Sequence, residues 1–189
     1  KGDCAFSSGC NPQDVLTEFN GGAVRTVGLE AAFSALLRPT KGWKVPLRAS
    51  YTWTLARFGT DFLSSNPQWG RVTAGDELPY LPPHQLTLQA GVGQQRWQIN
   101  AAWRYTSPMR DSAGSSDDDL FTDPTSVVDA SAQFAVTRWL HLYATCTNLL
   151  NAQYRVSLRP FGARPGMPRF AVVGVKLRWR EIASTTPDS

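Results

Sequence analysis

The sequence VPLRASYTWTL, residues 45–55, alternates apolar and polar side chains. Apolar side chains such as Leu47 and Tyr51 occupy one parity of this stretch, whereas Arg48 and Thr52 occupy the other. Successive side chains of a β-strand point to opposite faces, so the pattern predicts a strand with one apolar and one polar face. The same alternation recurs and predicts seven strands, at residues 23–37, 44–58, 84–93, 96–107, 126–137, 140–148 and 168–179.

The connections between these predicted strands alternate between short and long. Short turns fall at residues 38–43, 93–95 and 137–139, and long polar loops at residues 59–83, 108–125 and 151–167. Outer-membrane β-barrels combine short periplasmic turns and long extracellular loops with strands of about ten residues. The pattern therefore favours an all-β fold, an antiparallel transmembrane β-barrel segment.

Charged and aromatic residues support this interpretation. The charges within the alternating spans fall on the polar parity, at Glu30, Arg48, Arg104, Asp129, Lys176 and Arg178. A charge that faces lipid near the midplane costs about 2–4 kcal/mol, whereas a charge that faces a wet interior costs little. Tryptophans stand near both ends of the strands, as expected for two aromatic girdles at the membrane interfaces. The alternative is that they are core tryptophans of a soluble sandwich.

Composition excludes several other classes. A hydrophobic content of 42% excludes a disordered chain, and no segment approaches the roughly 18 apolar residues of a membrane helix. The 19 Lys and Arg residues form no run, which argues against nucleic-acid binding. Cys4 and Cys10 flank a Ser/Gly-rich stretch and predict a small disulfide loop formed in an oxidising compartment. A metal pair is the alternative, but no His lies near them, so neither a metal nor a cofactor is expected.

Four motifs occur in order along the predicted strands: NGGAVRTVGLE at 20–30, LPYLPPHQL at 78–86, TNLLNAQY at 147–154 and RPFGARPGMPR at 159–169. The first two resemble the Asn-x-Gly-x with Gly-(apolar)-Glu signature and the Pro-Tyr-x-Pro-x-His strand start of TonB-dependent outer-membrane receptors. The last two resemble the Asn-Leu-Phe-Asp-x-x-Tyr motif and the closing Gly-x-Pro-Arg block of the same family. The resemblance covers residues 20 to 179 and is nearest to ferric citrate and other ferric-siderophore receptors.

The resemblance implies a 22-stranded barrel closed by an N-terminal plug, of which this chain supplies about the last seven strands. Residues 1–22 would then form an extracellular loop, residues 23–179 the barrel part and residues 180–189 a flexible periplasmic tail. The implied function is TonB-dependent uptake of a ferric chelate across the Gram-negative outer membrane. The implied partners are the chelate, membrane lipid and, through a plug that has no counterpart here, the TonB complex. The family usually ends on an aromatic residue, and the residues after Trp179 depart from that pattern.

The last long loop holds the candidate ligand-binding residues Arg155, Arg159 and Arg164, and no acid. Guanidinium groups bind carboxylates in a bidentate manner, so these residues predict contacts to an anionic chelate such as iron citrate. The alternative is structural: Arg164 and Arg169, and even Arg159, would tie the loop to the barrel rim.

The sequence also bears on two other classes of function, an enzyme and a small closed barrel. The two histidines, His84 and His141, form no Ser/His/Asp arrangement, and no phosphate-binding loop is present, so an enzyme is not expected. Residues 13–20 could instead add an eighth strand. The chain would then be a small closed barrel that acts as a porin, adhesin or anchor.

Overall fold

The computed structural model describes residues 22–64, 69–114, 121–158 and 162–178. The elements in these residues are β-strands: β1 (Val24–Leu37), β2 (Val45–Phe58), β3 (Phe62–Leu63), β4 (Arg71–Val72), β5 (His84–Gly93), β6 (Trp97–Thr106), β7 (Thr125–Ala135), β8 (Leu140–Thr147), β9 (Arg155–Ser157), β10 (Arg164–Pro165) and β11 (Phe170–Leu177). None of the described residues belongs to a helix long and apolar enough to cross a membrane.

The long strands form one antiparallel sheet in the order β1-β2-β5-β6-β7-β8-β11. Each strand pairs with the next long strand along the chain, as the alternation of turns and loops predicts. The predicted fold class is confirmed, and the observed strands begin and end within one or two residues of the predicted bounds. Within the described residues, β1 and β11 lie at opposite edges and do not pair, so the sheet is open, as part of a larger barrel would be.

The register keeps the predicted apolar residues on one side of the sheet through every ladder. Leu29 lies opposite Trp53, Leu88 opposite Trp103, and Val173 opposite Ala144. We call this side the apolar face; its members include Phe33, Ala49, Tyr51, Ala90, Ile99, Ala101, Ala130, Phe134, Leu142 and Val175. The opposite side is the polar face, which includes Glu30, Arg48, Gln89, Asn100, Arg104, Asp129, Ser131, Gln133, His141, Tyr143 and Lys176.

The apolar face is open to its surroundings. The side chains of Ile99 and Val173 are 50% and 81% exposed, and Phe33 is similarly accessible. Among the described residues, the buried apolar side chains are few and include Phe58, Val72 and Val127. A continuous exposed apolar surface of this size is stable only against an apolar medium, and the lipid-facing side of a barrel provides one.

Aromatic side chains border the apolar face at both ends. Trp43 and Trp97 meet edge to face at the short turns, with ring centroids 5.7 Å apart. At the other end Tyr51 stacks on His84, and its hydroxyl lies 2.8 Å from Nδ1. Trp43 and Trp53 are ten residues apart, which is about 33 Å of strand and about 25 Å of height at a typical barrel tilt. This height matches the roughly 25 Å apolar band of membrane barrels.

Two short hairpins, β3 with β4 and β9 with β10, were not predicted. Strands of two or three residues carry no periodicity that a sequence pattern can reveal. The first hairpin is supported by an aromatic cluster in which Phe58 contacts Phe62 and Trp69 at centroid distances of 5.3 and 5.2 Å. Both hairpins lie within the long loops, at the end of the sheet that carries those loops.

The two faces predict opposite labelling patterns. In membranes that contain the complete protein, single cysteines at Ile99 and Val173 should react with lipid-soluble reagents and resist water-soluble ones. Cysteines at Gln89 and Asn100, placed in the same background without native cysteines, should do the reverse. Mass spectrometry of the labelled protein measures both reactions. Equal labelling of the two sets would contradict the assignment of the faces.

Candidate functional site

Three long connections meet at one end of the sheet, which we call the long-loop end: residues 59–83, 107–124 and 148–169. Tyr80 joins all three. Its amide donates to the carbonyl of Arg110 over 2.9 Å, and its hydroxyl donates to the carboxylate of Asp111. The amide of Leu158 donates to the same hydroxyl over 3.2 Å. Tyr80 has a φ of 55°, rare for an aromatic residue, and these bonds hold it there.

A shared carboxylate strengthens this junction. Glu77 accepts from Arg57 Nη2 at 3.4 Å through Oε1 and from Arg110 Nε at 3.0 Å through Oε2. The Arg110 guanidinium also lies 4.9 Å from the ring centroid of Phe121. Because Arg110 is largely buried, water screens the ion pair between Arg110 and Glu77 less than it screens a surface salt bridge. The first two long loops are therefore fixed to each other.

Asn148 fixes the third loop to the polar face. It is 2% exposed and has a φ of 49°. Its side-chain amide donates to the carbonyls of Ala152 and Met167, both at 2.9 Å, and its Oδ1 accepts from the Ala152 amide at 2.8 Å. Its own amide donates to Asp129 Oδ1 at 2.9 Å. The start and the end of the last loop are thus held by one side chain.

The two C-terminal motifs of the sequence pack against each other in this loop. The ring of Tyr154 covers Gly166 so closely that a Cβ at Gly166 would collide with it. The Gly166 amide donates to the Tyr154 carbonyl at 2.8 Å, and the Arg169 amide donates to Asn151 Oδ1 at 3.1 Å. Glycine at position 166 is therefore required by close approach.

Arg155 forms an ion pair with Asp123, which lies 32 residues earlier in the sequence. Its Nη2 and Nε contact Asp123 Oδ1 and Oδ2 at 2.6 and 2.9 Å, and its backbone amide donates to Oδ2 at 2.9 Å. The hydrogen bonds from Arg155, side chain first and backbone second, lower the pKa of the Asp123 carboxyl. The same side-chain bond raises the pKa of Arg155. The guanidinium thus already holds one carboxylate.

The other predicted site residues are Arg164, Arg159, Cys4 and Cys10, and the structure describes only the first of them. Arg164 lies in β10 opposite Ser157, exposed, and forms no ion pair with any residue that the structure describes. Arg159 and the proposed disulfide partners Cys4 and Cys10 lie outside the described residues. The structure therefore brings Arg155 and Arg164 to the same short hairpin and adds Asp123 to them.

The polar face carries its own hydrogen-bond chain in the middle of the sheet. Gln133 Nε2 donates to Gln98 Oε1 at 3.2 Å, and Gln98 Nε2 donates to Asn100 Oδ1 at 2.8 Å. Nearer the long loops, Arg104 and Asp129 form an ion pair at 2.6 Å. Such a surface suits contact with water or with a polar protein surface, and not with lipid.

Comparison with known proteins gives a consistent result. Residues 3–149 match the family model described as TonB dependent receptor-like, beta-barrel. Comparison with curated protein sequences finds no match.

Among solved structures, the chain is similar to the siderophore receptor PiuA from Acinetobacter baumannii, with 18% identity and a TM-score of 0.63. It is similar to the ferric-catecholate import receptor Fiu from E. coli K12 in the closed form, with 24% identity and a TM-score of 0.59. The copper transporter OprC follows with 20% identity and a TM-score of 0.55. Each match covers 82% of this chain but only 22%, 21% and 24% of the respective receptor.

The buried hydrogen bonds of Asn148 predict a cost for their removal. Asn148→Gly keeps the positive φ accessible and deletes three side-chain hydrogen bonds. The free energy of unfolding should therefore fall by about 3 kcal/mol, at about 1 kcal/mol per bond. Asn151→Gly, which deletes one bond to the Arg169 amide, should cost about a third as much. Thermal unfolding of the complete protein measures both. Equal effects of the two changes would contradict the role given to Asn148.

The Asp123–Arg155 pair predicts a dependence on pH. Because the folded-state pKa of Asp123 is lowered, its contribution to stability is complete above the ordinary pKa of an aspartate. That contribution is lost as the pH falls through the lowered value. Asp123→Asn should therefore be less stable than the parent protein at neutral pH, and the difference should shrink in acid. Unfolding temperatures measured across this range test the sign, and a difference that grows in acid would contradict it.

Proposed function

Since the chain belongs to the TonB-dependent receptor-like β-barrel family, we propose that it forms the C-terminal part of the barrel of an outer-membrane receptor that imports a ferric chelate. The observation that carries this proposal is the open sheet with one continuous apolar face and interlocked loops at one end. In a barrel the apolar face meets lipid, the polar face lines the lumen, and the long-loop end faces the outside of the cell.

The proposed layout follows the sequence. Residues 1–22 are an extracellular loop closed by a Cys4–Cys10 disulfide, residues 23–179 are the barrel part, and residues 180–189 are a periplasmic tail. Further strands would pair with the edges of β1 and β11 that have no partner among the described residues, and would close the barrel. A plug domain would fill the lumen and carry the contact with the TonB complex.

A ferric chelate is proposed because of the charge at the last loop. Guanidinium groups attract the carboxylates and phenolates of an anionic chelate, and they do not ligate a bare metal cation. Arg155, Arg159 and Arg164 would supply them. The names of two similar receptors, for a siderophore and for ferric catecholates, agree with this class of substrate. The similarity to a copper transporter makes copper the competing substrate.

The three arginines would contribute differently. Arg155 donates from Nε and Nη2 to Asp123. It would therefore hold the loop in place, and its remaining N–H groups could donate to a ligand. Arg164 is exposed and has no ion-pair partner among the described residues, so an anion can reach it without displacing a carboxylate. We therefore propose Arg164 as the first contact in the described part of the loop.

A small closed barrel is the other candidate function. It would need β1 and β11 to meet through an added strand at residues 13–20, which lie outside the described residues. The family match favours the receptor over this candidate.

The arginine proposal predicts a loss of affinity. In the purified complete receptor, Arg164→Ala should weaken binding of ferric citrate or a ferric siderophore by about 1.5–3 kcal/mol, the range for a hydrogen bond to a charged group. Arg138→Ala, which removes an exposed arginine from a short turn at the opposite end of the sheet, should leave affinity unchanged. Titration calorimetry or fluorescence quenching measures both.

The same titrations decide between substrates. Saturable binding of a ferric chelate, with no binding of Cu²⁺ alone, would support the proposed class. Binding of Cu²⁺ alone, with no response to any ferric chelate, would contradict the ferric chelate and indicate copper as the substrate. An unchanged affinity in Arg164→Ala would remove this residue from the binding site.

A further inference from the structure

Two arginines depart from the separation of charged and apolar side chains in the sheet. Arg25 and Arg57 fall on the same parity as Val27 and Leu55, and therefore belong to the apolar face. Every other Asp, Glu, Lys or Arg of the described long strands lies on the polar face. A charge among lipid-facing side chains is costly, so this placement calls for a physical reason.

The two arginines also lie directly opposite each other. Arg25 of β1 is the register partner of Arg57 of β2, one residue from the long-loop end of this ladder. Residues opposed in an antiparallel pair have Cβ atoms about 4.5–5.5 Å apart, and like charges at such positions are destabilising. An anion bound between the two guanidinium groups would convert this repulsion into attraction.

The nearest carboxylate of the described residues does not neutralise this pair. Glu77 Oε1 lies 3.4 Å from Arg57 Nη2, and its Oε2 lies 3.0 Å from Arg110 Nε. Glu77 thus divides one negative charge between two guanidinium groups, and the side chain of Arg57 remains 52% exposed. Arg25 is exposed and forms no ion pair with any residue that the structure describes. Both arginines can therefore accept an anion from outside.

Exposed apolar side chains continue from the arginines towards the middle of the sheet. Val27 and Leu29, the next residues of β1 on the same face, are 44% and 60% exposed. Arg57 lies four residues beyond Trp53, about 13 Å along the strand and about 10 Å in height at a typical barrel tilt. Arginine side chains are long enough to reach back towards the headgroup level that Trp53 marks. This part of the surface is therefore amphipathic, with positive charge above and apolar side chains below.

The amphipathic arrangement indicates which anion fits. Phosphate oxygens accept hydrogen bonds from guanidinium groups in a bidentate manner, so one phosphate can bind both arginines. A soluble anion such as a ferric chelate, or an acidic protein segment, would leave Val27 and Leu29 uncovered. A lipid with a phosphate at the head of its acyl chains matches both parts of the surface.

We infer that Arg25 and Arg57 form a binding site for the phosphate group of a lipid in the outer leaflet, whose acyl chains lie along Val27 and Leu29. The inference rests on the proposed function for placing the long-loop end on the outer side of the membrane. The site holds one lipid at a defined position on β1 and β2, in contrast to the general contact of the apolar face with the bilayer.

Native mass spectrometry of the complete receptor, titrated with lipid A in detergent, tests this inference. Arg25→Gln should weaken lipid A binding by about tenfold or more, the amount expected for a lost hydrogen bond between charged groups. Because Arg25 forms no ion pair with the described residues, this variant should fold normally. The matched control is Arg138→Gln, which changes an exposed arginine in a short turn at the opposite end of the sheet and should leave lipid A binding unchanged.

A charge reversal separates lipid binding from damage to the strand. Arg25→Glu places a carboxylate opposite Arg57, and opposite charges at directly opposed positions are stabilising. The unfolding temperature of the lipid-free receptor should therefore rise in Arg25→Glu, while lipid A binding is lost. A variant that had merely disturbed β1 would lose both.

Two further probes separate the parts of the ligand. Lipid A stripped of its phosphates, and inorganic phosphate alone, should each bind at least tenfold more weakly than lipid A. Equal binding of the stripped lipid would remove the arginines from the site, and equal binding of inorganic phosphate would make it a site for free anions. Either result would overturn the inference.

Two results with Arg25→Gln would overturn it as well. They are an unchanged affinity for lipid A, and a lower unfolding temperature of the lipid-free receptor, which would reveal a partner of Arg25 within the protein. If either occurs while the receptor still binds a ferric chelate, the inference fails and the proposed function stands. If cysteine labelling places the polar face in lipid, the proposed function itself fails.

Discussion

The register of six antiparallel ladders determines which side chains lie on each face of the sheet. Side chains alternate with a period of two, so a slip of one residue in any ladder would carry an entire strand's apolar residues to the polar side. The observed pairs, from Leu29 with Trp53 to Val173 with Ala144, show no such slip in the long sheet. Because lipid offers no hydrogen bonds, the same ladders must also satisfy the backbone. Within the described residues, β1 and β11 each have one edge without a partner strand, and in a barrel further strands would pair with these edges.

Polar side chains of the long loops form hydrogen bonds and ion pairs with one another and with the polar face of the sheet. Glu77 forms ion pairs with Arg57 and Arg110, Tyr80 connects three loops, and Asn148 joins the last loop to Asp129 on the polar face. A loop surface held in this way presents its remaining charges in fixed positions, which lowers the entropic cost of ligand binding. The exposed Arg164 is one such charge. The rigidity of the long-loop end and its proposed role in binding thus have the same physical origin.

Much of the fold could be predicted from the sequence because alternation, turn length and charge avoidance are all local signals. The sheet order followed from them, and so did the face of residues such as Ile99 and Asn100. The partner of Arg155 could not be predicted, since Asp123 lies 32 residues earlier and only loop packing joins them. The sequence also did not predict that Lys44, Arg96 and Arg178 line one cavity, because residues of separate turns become neighbours only after the strands pair. The roles of Arg159, Cys4 and Cys10 stay predictions.

Amide hydrogen exchange of the complete protein in lipid nanodiscs tests whether this sheet is part of a larger barrel. If this chain is an open part of a larger barrel, the outward-facing edge amides of β1 and β11 should exchange as slowly as those of the central strand β6, since upstream strands cover them. The same edges should exchange rapidly, or the protein should aggregate, when residues 1–189 are produced alone. Slow exchange of both edges in the isolated chain would mean that it closes by itself, and would contradict its assignment as part of a larger barrel.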